Sequence, residues 1–303
     1  MPINFKPKEE VKRSYKRFVL AGVGGIGKST AIATAAKAPL VIDLDGRFPV
    51  ALIDKAQFLA VDASFQSVMA GLRSILAEEK FSFDWLVIDT ATKAMSSVED
   101  NTIAKHCAGE KDKYNAYGFG LKFSPQYFKE MLDVIDQIQN KHKTNCAFVC
   151  HTKVRDFKNP MTESYSKNVL DLPDIVADRL KQWADYLGFA FFEVNVDKEK
   201  HKAVGEPTRY ISFTDSPLHE AKNSSEFPIP KQILLDKEGK WAEIVFGETQ
   251  VLVKEIKTLA EKFPEPKRAA MLEMMEKTGI LNSGVKELKE FLDAGKKELA
   301  KSK

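Results

Sequence analysis

Long apolar runs are missing from this 303-residue sequence, and so are the cysteine pairs that staple small secreted folds. No stretch approaches the roughly 20 apolar residues a membrane-spanning helix needs. The N-terminus, MPINFKPKEEVKRSYKR, places charges where a cleavable leader needs an apolar core. The three cysteines, Cys107, Cys146 and Cys150, form no CxxC pair, which suits a reducing compartment. A cytoplasmic chain without membrane contact is therefore expected. Net charge is also scarce: 46 Lys and Arg stand against 43 Asp and Glu, leaving +3. Any surface for a polyanion has to be local. Cys146, Cys150 and His151 raise a metal site as an alternative, but NCAFVCH reads as a buried strand with cysteines as small apolar residues.

What is present alternates between strands and helices. Arg17 to Ala21 reads as a first strand, followed by a glycine loop and a helix from about Gly27 to Lys37. PLVIDLDG is a second strand ending in acids, QFLAVD a short third, and Ser64 to Lys80 an amphipathic helix. FDWLVIDT is a buried strand with an acid at its end. A long polar stretch runs from Ala91 to about Gly120, and a helix with Ser124 as its N-cap follows. Its apolar residues Phe128, Met131, Leu132, Ile135 and Ile138 recur at helical spacing. CAFVCH is another strand, followed by a second polar stretch to about Asp171, a helix around Ile175 to Trp183, and strands near Phe189 to Val196 and Arg209 to Phe213. This order predicts an α/β fold with a mostly parallel sheet flanked by helices, the later strands forming an antiparallel extension. From Thr249 onward only helical patterns remain, broken at Pro264, Pro266 and Gly279. The expected organisation is an arm over 1–15, a core over 16–248 and a helical extension over 249–303.

The strongest motif is Gly22-x-x-x-x-Gly27-Lys28-Ser29, which fits the P-loop pattern. Its glycines (Gly22, Gly24, Gly25, Gly27) let backbone N–H groups wrap a phosphate at the positive end of the following helix, joined by Thr30. Lys28 is expected to reach the β- and γ-phosphates and Ser29 to ligate Mg²⁺. Asp89, emerging from a buried strand, is the second expected Mg²⁺ partner. ATP and Mg²⁺ are the expected ligands. Hydrolysis needs a carboxylate to orient water. Asp89 is followed by Thr90 rather than Glu, so Asp45 is the best-placed base. His151 ends its strand where a polar side chain meets a γ-phosphate.

These residues, in this order, resemble the RecA-like P-loop ATPase core. VIDLDG resembles the strand carrying that group's catalytic glutamate, with Asp45 at the glutamate position. His151 falls at the γ-phosphate sensor. PLHEAKNSSEFPIP is similar to the Lys-Asn-Lys element, in which basic residues enter a neighbouring subunit's site. Lys222 matches the first of these and Ser224 stands where a second cation is expected. Within the group, the likeness is greatest to phage-encoded ATP-binding single-strand annealing proteins of the Sak-four type, over about residues 15 to 235.

The resemblance implies a slow, DNA-stimulated ATPase that assembles head to tail, with Asp45, Lys28, His151 and Lys222 as catalytic residues. It implies single-stranded DNA, further copies of the chain and a single-strand-binding protein as partners. It also points to the two polar stretches as DNA-lining segments, through Lys111, Lys113 and Tyr114 in the first and Lys153, Arg155, Phe157, Lys158 and Lys167 in the second. Cations track phosphates while aromatic rings stack on bases. A nucleotide-gated binding module with negligible hydrolysis is one alternative. A small-molecule kinase is another, although no arginine-rich lid segment is evident.

Overall fold

The structure, a computed structural model, describes residues 15–48, 56–157, 163–197, 202–224, 229–236, 239–246, 248–277 and 285–301. Strand β1 (Arg17–Gly22) leads into helix α1 (Lys28–Ala35), β2 (Pro39–Asp43), β3 (Gln57–Phe58) and α2 (Phe65–Ala77). Next come β4 (Trp85–Asp89), α3 (Ala91–His106), the short α4 (Lys111–Asn115) and α5 (Ser124–His142). Strands β5 (Asn145–Phe157) and β6 (Tyr165–Leu170) precede α6 (Asp174–Trp183), which is followed by β7 (Tyr186–Asp197) and β8 (Lys202–Ser212). The two-residue strands β9 (Lys222–Asn223) and β10 (Ile233–Leu234) complete the sheet. Helices α7 (Lys240–Phe246), α8 (Glu248–Ala260), α9 (Glu265–Lys277) and α10 (Val285–Lys301) close the described chain.

The described strands form one sheet in the order β10-β8-β7-β1-β5-β4-β2-β3, with β6 paired to β5 and β9 to β7. From β7 to β3 every pairing is parallel. The pairings of β8, β10, β6 and β9 are antiparallel. The expected fold class holds: a mostly parallel sheet flanked by helices, with further helices at the C-terminus. β1 is central and buried along its whole length.

Each central strand sends alternate side chains to two separate cores, as the pleat requires. Val19, Ile42, Ile88 and Phe148 face one core, which is filled from α2, α3, α5 and α6. Phe18, Leu20, Val41, Val87 and Val149 face the other, filled by α1 and α7. In the second core Trp241 is fully buried and stacks on Phe18 at 5.3 Å between centroids, and Phe246 meets Phe18 edge-on at 5.1 Å. A third, smaller apolar cluster holds Leu252, Ile256, Leu259, Phe263, Leu288 and Leu292 from α8 and α10 and the turn after α8.

Several local expectations change. Ser124 is the first residue of α5 rather than its cap, because its hydroxyl lies 3.2 Å from that of Tyr114. The first polar stretch is mostly helix α3, capped by Thr90, whose Oγ1 accepts the Lys93 N–H. The second polar stretch is a two-stranded ribbon: β5 continues six residues past His151 and pairs with β6, from Thr152 opposite Leu170 to Phe157 opposite Tyr165. The N-terminal arm over 1–14, Lys158 and Gly279 lie outside the described residues.

Trp241 lies well past the glycine loop in sequence yet sits in the core beneath it. Its indole Nε1 is buried without a partner among the described residues. Trp241→Ala is expected to cost about 3–5 kcal/mol, whereas Trp241→Phe, which removes the orphaned donor, is expected to cost less. Urea denaturation curves of the two variants check the order.

Candidate functional site

The register of the parallel strands aligns their C-terminal ends. Asp43 is opposite Asp89 and Gly22 is opposite His151. These four residues, among them Gly22, Asp89 and His151 singled out from the sequence, therefore stand along one edge of the sheet, the edge where open α/β sheets bind ligands. A cavity of about 280 Å³ opens there, lined by Gly24, Gly25, Gly27, Lys28, Ser29, Thr30, Asp45, Asp89 and His151, together with Arg47, Thr90 and Val149.

The loop's glycines have distinct reasons. A Cβ on Gly22 would lie 2.5 Å from the Ala190 carbonyl oxygen on β7, so only glycine lets β1 leave the sheet there. Gly27 adopts φ +94° at the N-cap of α1, a conformation that disfavours any side chain. The resulting turn points the first N–H groups of α1 into the cavity, a ready anion site. Lys28 is only 5% exposed, and its ammonium donates to the Gly22 and Val23 carbonyls at 3.0 and 2.9 Å. Burial lowers its pKa, while the carboxylates of Asp89 and Asp45 pull in the opposite direction.

Asp89 is 4% exposed. Burial raises its pKa from 3.8 to about 6, against the Ser29 hydroxyl, which favours the carboxylate. Asp43 and Asp45 raise it further and Lys28 lowers it. A buried carboxylate beside a serine hydroxyl, next to a phosphate cradle, is a donor set that fits a hard divalent cation such as Mg²⁺. Ser29 and Asp89 would hold it.

The two acids after β2 have different surroundings. Asp43 accepts the backbone N–H groups of Gly46, Arg47 and Phe48 at 2.9, 3.4 and 3.0 Å, which fixes the turn. Asp45 projects into the cavity, where its Oδ2 accepts the Thr90 hydroxyl at 3.3 Å and lies 3.8 Å from His151 Nε2. Burial, and then Lys28, lower the His151 pKa, so the ring is neutral near pH 7. Its backbone N–H donates to Thr92 Oγ1 at 3.3 Å.

Cys150 lies fully buried just before His151, its thiol pushed up to about 12 by burial, and Cys146 is shifted in the same direction. Neither makes a metal ligand in this setting. No metal-binding cluster of His, Cys, Asp or Glu occurs among the described residues. None of the described helices is long and apolar enough to cross a membrane.

Other expected residues sit elsewhere. The Lys222 ammonium donates to the carbonyls of Lys181, Gln182 and Ala184 at 2.9, 3.5 and 2.6 Å. It thus caps the C-terminus of α6, where orphan carbonyls and the negative helix end favour a cation. A role in a neighbour's site would require breaking all three bonds. Tyr114 is 7% exposed and hydrogen-bonded to Ser124, so its ring cannot stack on a base. Lys111 and Lys113 are exposed on α4. On the ribbon, residues directly opposite share a face, which brings Lys153, Arg155, Lys167, Phe157 and Tyr165 together. Phe157 stacks on Tyr165 at 5.8 Å, with the Arg155 guanidinium 5.7 Å from the Phe157 ring. Each cation also meets an acid: Lys153 meets Asp171 at 3.5 Å, Arg155 meets Asp174 at 2.5 Å and Lys167 meets Asp215 at 2.9 Å.

Sequence reasoning missed Arg47 and Thr90. Arg47 follows the VIDLDG strand directly, so its proximity to Asp45 was the available signal.

A glycine cradle, a buried lysine and a buried acid at the C-terminal rim of a parallel sheet define a P-loop nucleotide-binding site on an α/β fold. The AAA domain family designated AAA_24 matches residues 14–225, and the chain belongs to that family. Among solved structures, the chain is similar to the RadB recombinase, with 12% identity over 74% of this chain and 89% of that one and a TM-score of 0.43. It is also similar to the flagellar accessory protein FlaH from Methanocaldococcus jannaschii, with 10% identity over 77% and 92% of the two chains and a TM-score of 0.39. No curated protein matches the sequence.

Two outcomes test the geometry. For Asp89, a pKa of about 6 in the fold against 3.8 means the folded state binds the proton more tightly. Its contribution to stability therefore falls as pH rises through that window. Asp89→Asn is expected to stabilise the protein above pH 6, by up to about 3 kcal/mol at pH 8, with no gain below pH 4 and with loss of Mg²⁺-dependent nucleotide binding. Denaturation at several pH values checks the sign. Lys222→Met is expected to cost about 1–2 kcal/mol by leaving the end of α6 uncapped, read as a lower thermal midpoint.

Proposed function

We infer that this protein is an ATP-dependent single-strand-DNA-binding recombination or annealing protein of phage type, working as a head-to-tail assembly. The observation that carries this reading is the continuity of β5. One strand passes from the core, through His151 beside the cavity, into a ribbon whose one face gathers three cations and two stacked rings. Cations spaced along a ribbon match phosphates, and half-buried rings present an edge or face to any base, so such a face suits single strands without reading sequence. The acids now paired with Lys153 and Arg155 are half-buried Asp171 and exposed Asp174, both in reach of solvent. Exposed pairs hold weakly, and a polyphosphate chain displaces them at small cost.

At the nucleotide end, Lys28 and the α1 N-terminus bind the phosphates, and Ser29 and Asp89 hold the cation. Bound Mg²⁺ supplies charge neutralisation at the terminal phosphates. Asp45 orients water, restrained by Thr90, while His151 hydrogen-bonds at the same end. The Asp45 carboxylate already accepts from Thr90, which favours slow turnover and keeps a nucleotide-gated module with negligible hydrolysis as the second reading.

Lys28→Ala is expected to abolish ATP binding, and Asp45→Asn to retain binding while hydrolysis falls at least tenfold. Turnover of the wild-type chain is expected to rise with single-stranded oligonucleotide. Stimulation by a nucleoside in its place points to a kinase. For the ribbon, log affinity against log salt should be steep, and each of Arg155→Ala and Lys167→Ala should flatten the slope by about 0.7. A flat wild-type dependence rejects the ribbon as the DNA surface.

A further inference from the structure

The other flank of the loop, away from Asp45 and His151, carries a cation that the site described so far does not use. Strand β8 runs antiparallel beside β7, which itself lies against β1. Ala190 of β7 and Ile211 of β8 are directly opposed and both pack in the apolar core under the loop, with Ile26 and Ile32. Two residues along on the same face of β8 comes Arg209, at the height where the strands clear the sheet edge. Its guanidinium passes directly over the loop: a Cβ built on Gly27 would lie 2.8 Å from Arg209 Nη1. Gly27 is the residue immediately before Lys28, at the N-cap of α1.

Three further facts bear on what this guanidinium does. Arg209 is half-buried, and among the described residues no carboxylate pairs with it. Its backbone is fixed, since its carbonyl accepts the Leu235 N–H at 2.9 Å where β10 joins β8. The cavity itself sets Asp45 and Asp89 against Lys28 and Arg47, so its lining charges cancel and a polyphosphate needs more positive charge than they offer.

We propose that Arg209 is a nucleotide phosphate ligand supplied by the same chain, closing over the loop neck onto the α- and β-phosphates of a nucleoside di- or triphosphate. The position follows from the loop's polarity. Lys28, Ser29, Asp45 and His151 gather at the terminal-phosphate end, whereas the residue before the lysine borders the phosphates nearer the nucleoside. A planar guanidinium reaches two phosphate oxygens at once, which an ammonium cannot do. The absence of a side chain at Gly27 then has a second cause besides backbone conformation: it leaves room for Arg209 to reach the loop. With Lys222 engaged at the end of α6, Arg209 adds a second cation beside Lys28 from within the same protomer.

This inference rests on the nucleotide reading above, and titration calorimetry of the full chain with Mg-ATP, Mg-ADP and inorganic tripolyphosphate separates the two. Arg209→Ala is expected to weaken ATP and ADP binding by the same factor, about ten- to a hundredfold, and tripolyphosphate binding as well. Arg209→Lys is expected to recover only part of the loss. The thermal midpoint without nucleotide is expected to stay within about 2 °C, because the substitution breaks no ion pair among the described residues. Should Arg209→Ala fold poorly, Arg209→Lys and Arg209→Gln carry the same comparison. Wild-type-like affinity for ADP in these variants overturns the proposal, as does a loss confined to ATP, which moves Arg209 to the terminal phosphate. A wild-type chain that binds none of the three probes overturns the nucleotide reading itself.

Discussion

Lys28 and Asp89 are opposite charges buried at the rim of an apolar sheet, and their desolvation is the constraint on which the rest of the site depends. Each is driven toward its neutral form, the lysine pKa downward and the aspartate upward. Burial of an ionised group is tolerated only when fixed dipoles replace water. The loop supplies them: the Gly22 and Val23 carbonyls accept from the ammonium, and the Ser29 hydroxyl favours the carboxylate. That arrangement explains the glycine at position 22. The chain must turn back over its own lysine while passing within contact of Ala190, and any side chain would collide with the neighbouring strand.

The same constraint sorts the acids after β2. Asp43 lies in register with Asp89, and two free carboxylates so close to one another would each disfavour ionisation of the other. Asp43 accepts three backbone N–H groups, which shape the turn that carries Asp45 into the cavity. Asp45 then meets Thr90 and His151 rather than another bare acid. The division between a structural and a chemical carboxylate therefore follows from which groups each one meets.

How legible this was in the sequence depended on how each element buries itself. The core strands read directly because β1, β2, β4 and β5 are apolar on both faces. Helices α2 and α5 read directly because their apolar residues recur at helical spacing. Helix α3 did not, for a physical reason: its inward face includes Ser97, Asn101 and Thr102. Ser97 and Thr102 hydrogen-bond within the helix, and Asn101 accepts from Gln66 on α2. A helix that packs with small polar residues looks like a solvated loop in the sequence. The ribbon was hidden in a similar way, since KVRDF has no apolar alternation to mark a strand with no core beneath it. The P-loop was legible because its spacing reports backbone geometry directly. Arg209 was not, because nothing in a sequence says which strand lies over a loop about 180 residues earlier.

The ribbon changes what kind of surface follows His151. A loop has to be ordered by its ligand and loses affinity to that ordering, whereas a ribbon is ordered beforehand. Its root is tied to the core at several points. The His151 N–H is held by Thr92, the His151 carbonyl accepts the Asp171 N–H at 2.8 Å, and the Lys153 ammonium donates to the Leu172 carbonyl at 2.9 Å. A shift of this root would carry the distal pairs, Arg155 with Lys167 and Phe157 with Tyr165, as a tilt of the whole ribbon rather than a rearrangement within it. Coupling of this kind needs two defined positions of the root. The contacts able to define them are the few between His151, Asp45 and Thr90, which lie where a terminal phosphate would enter.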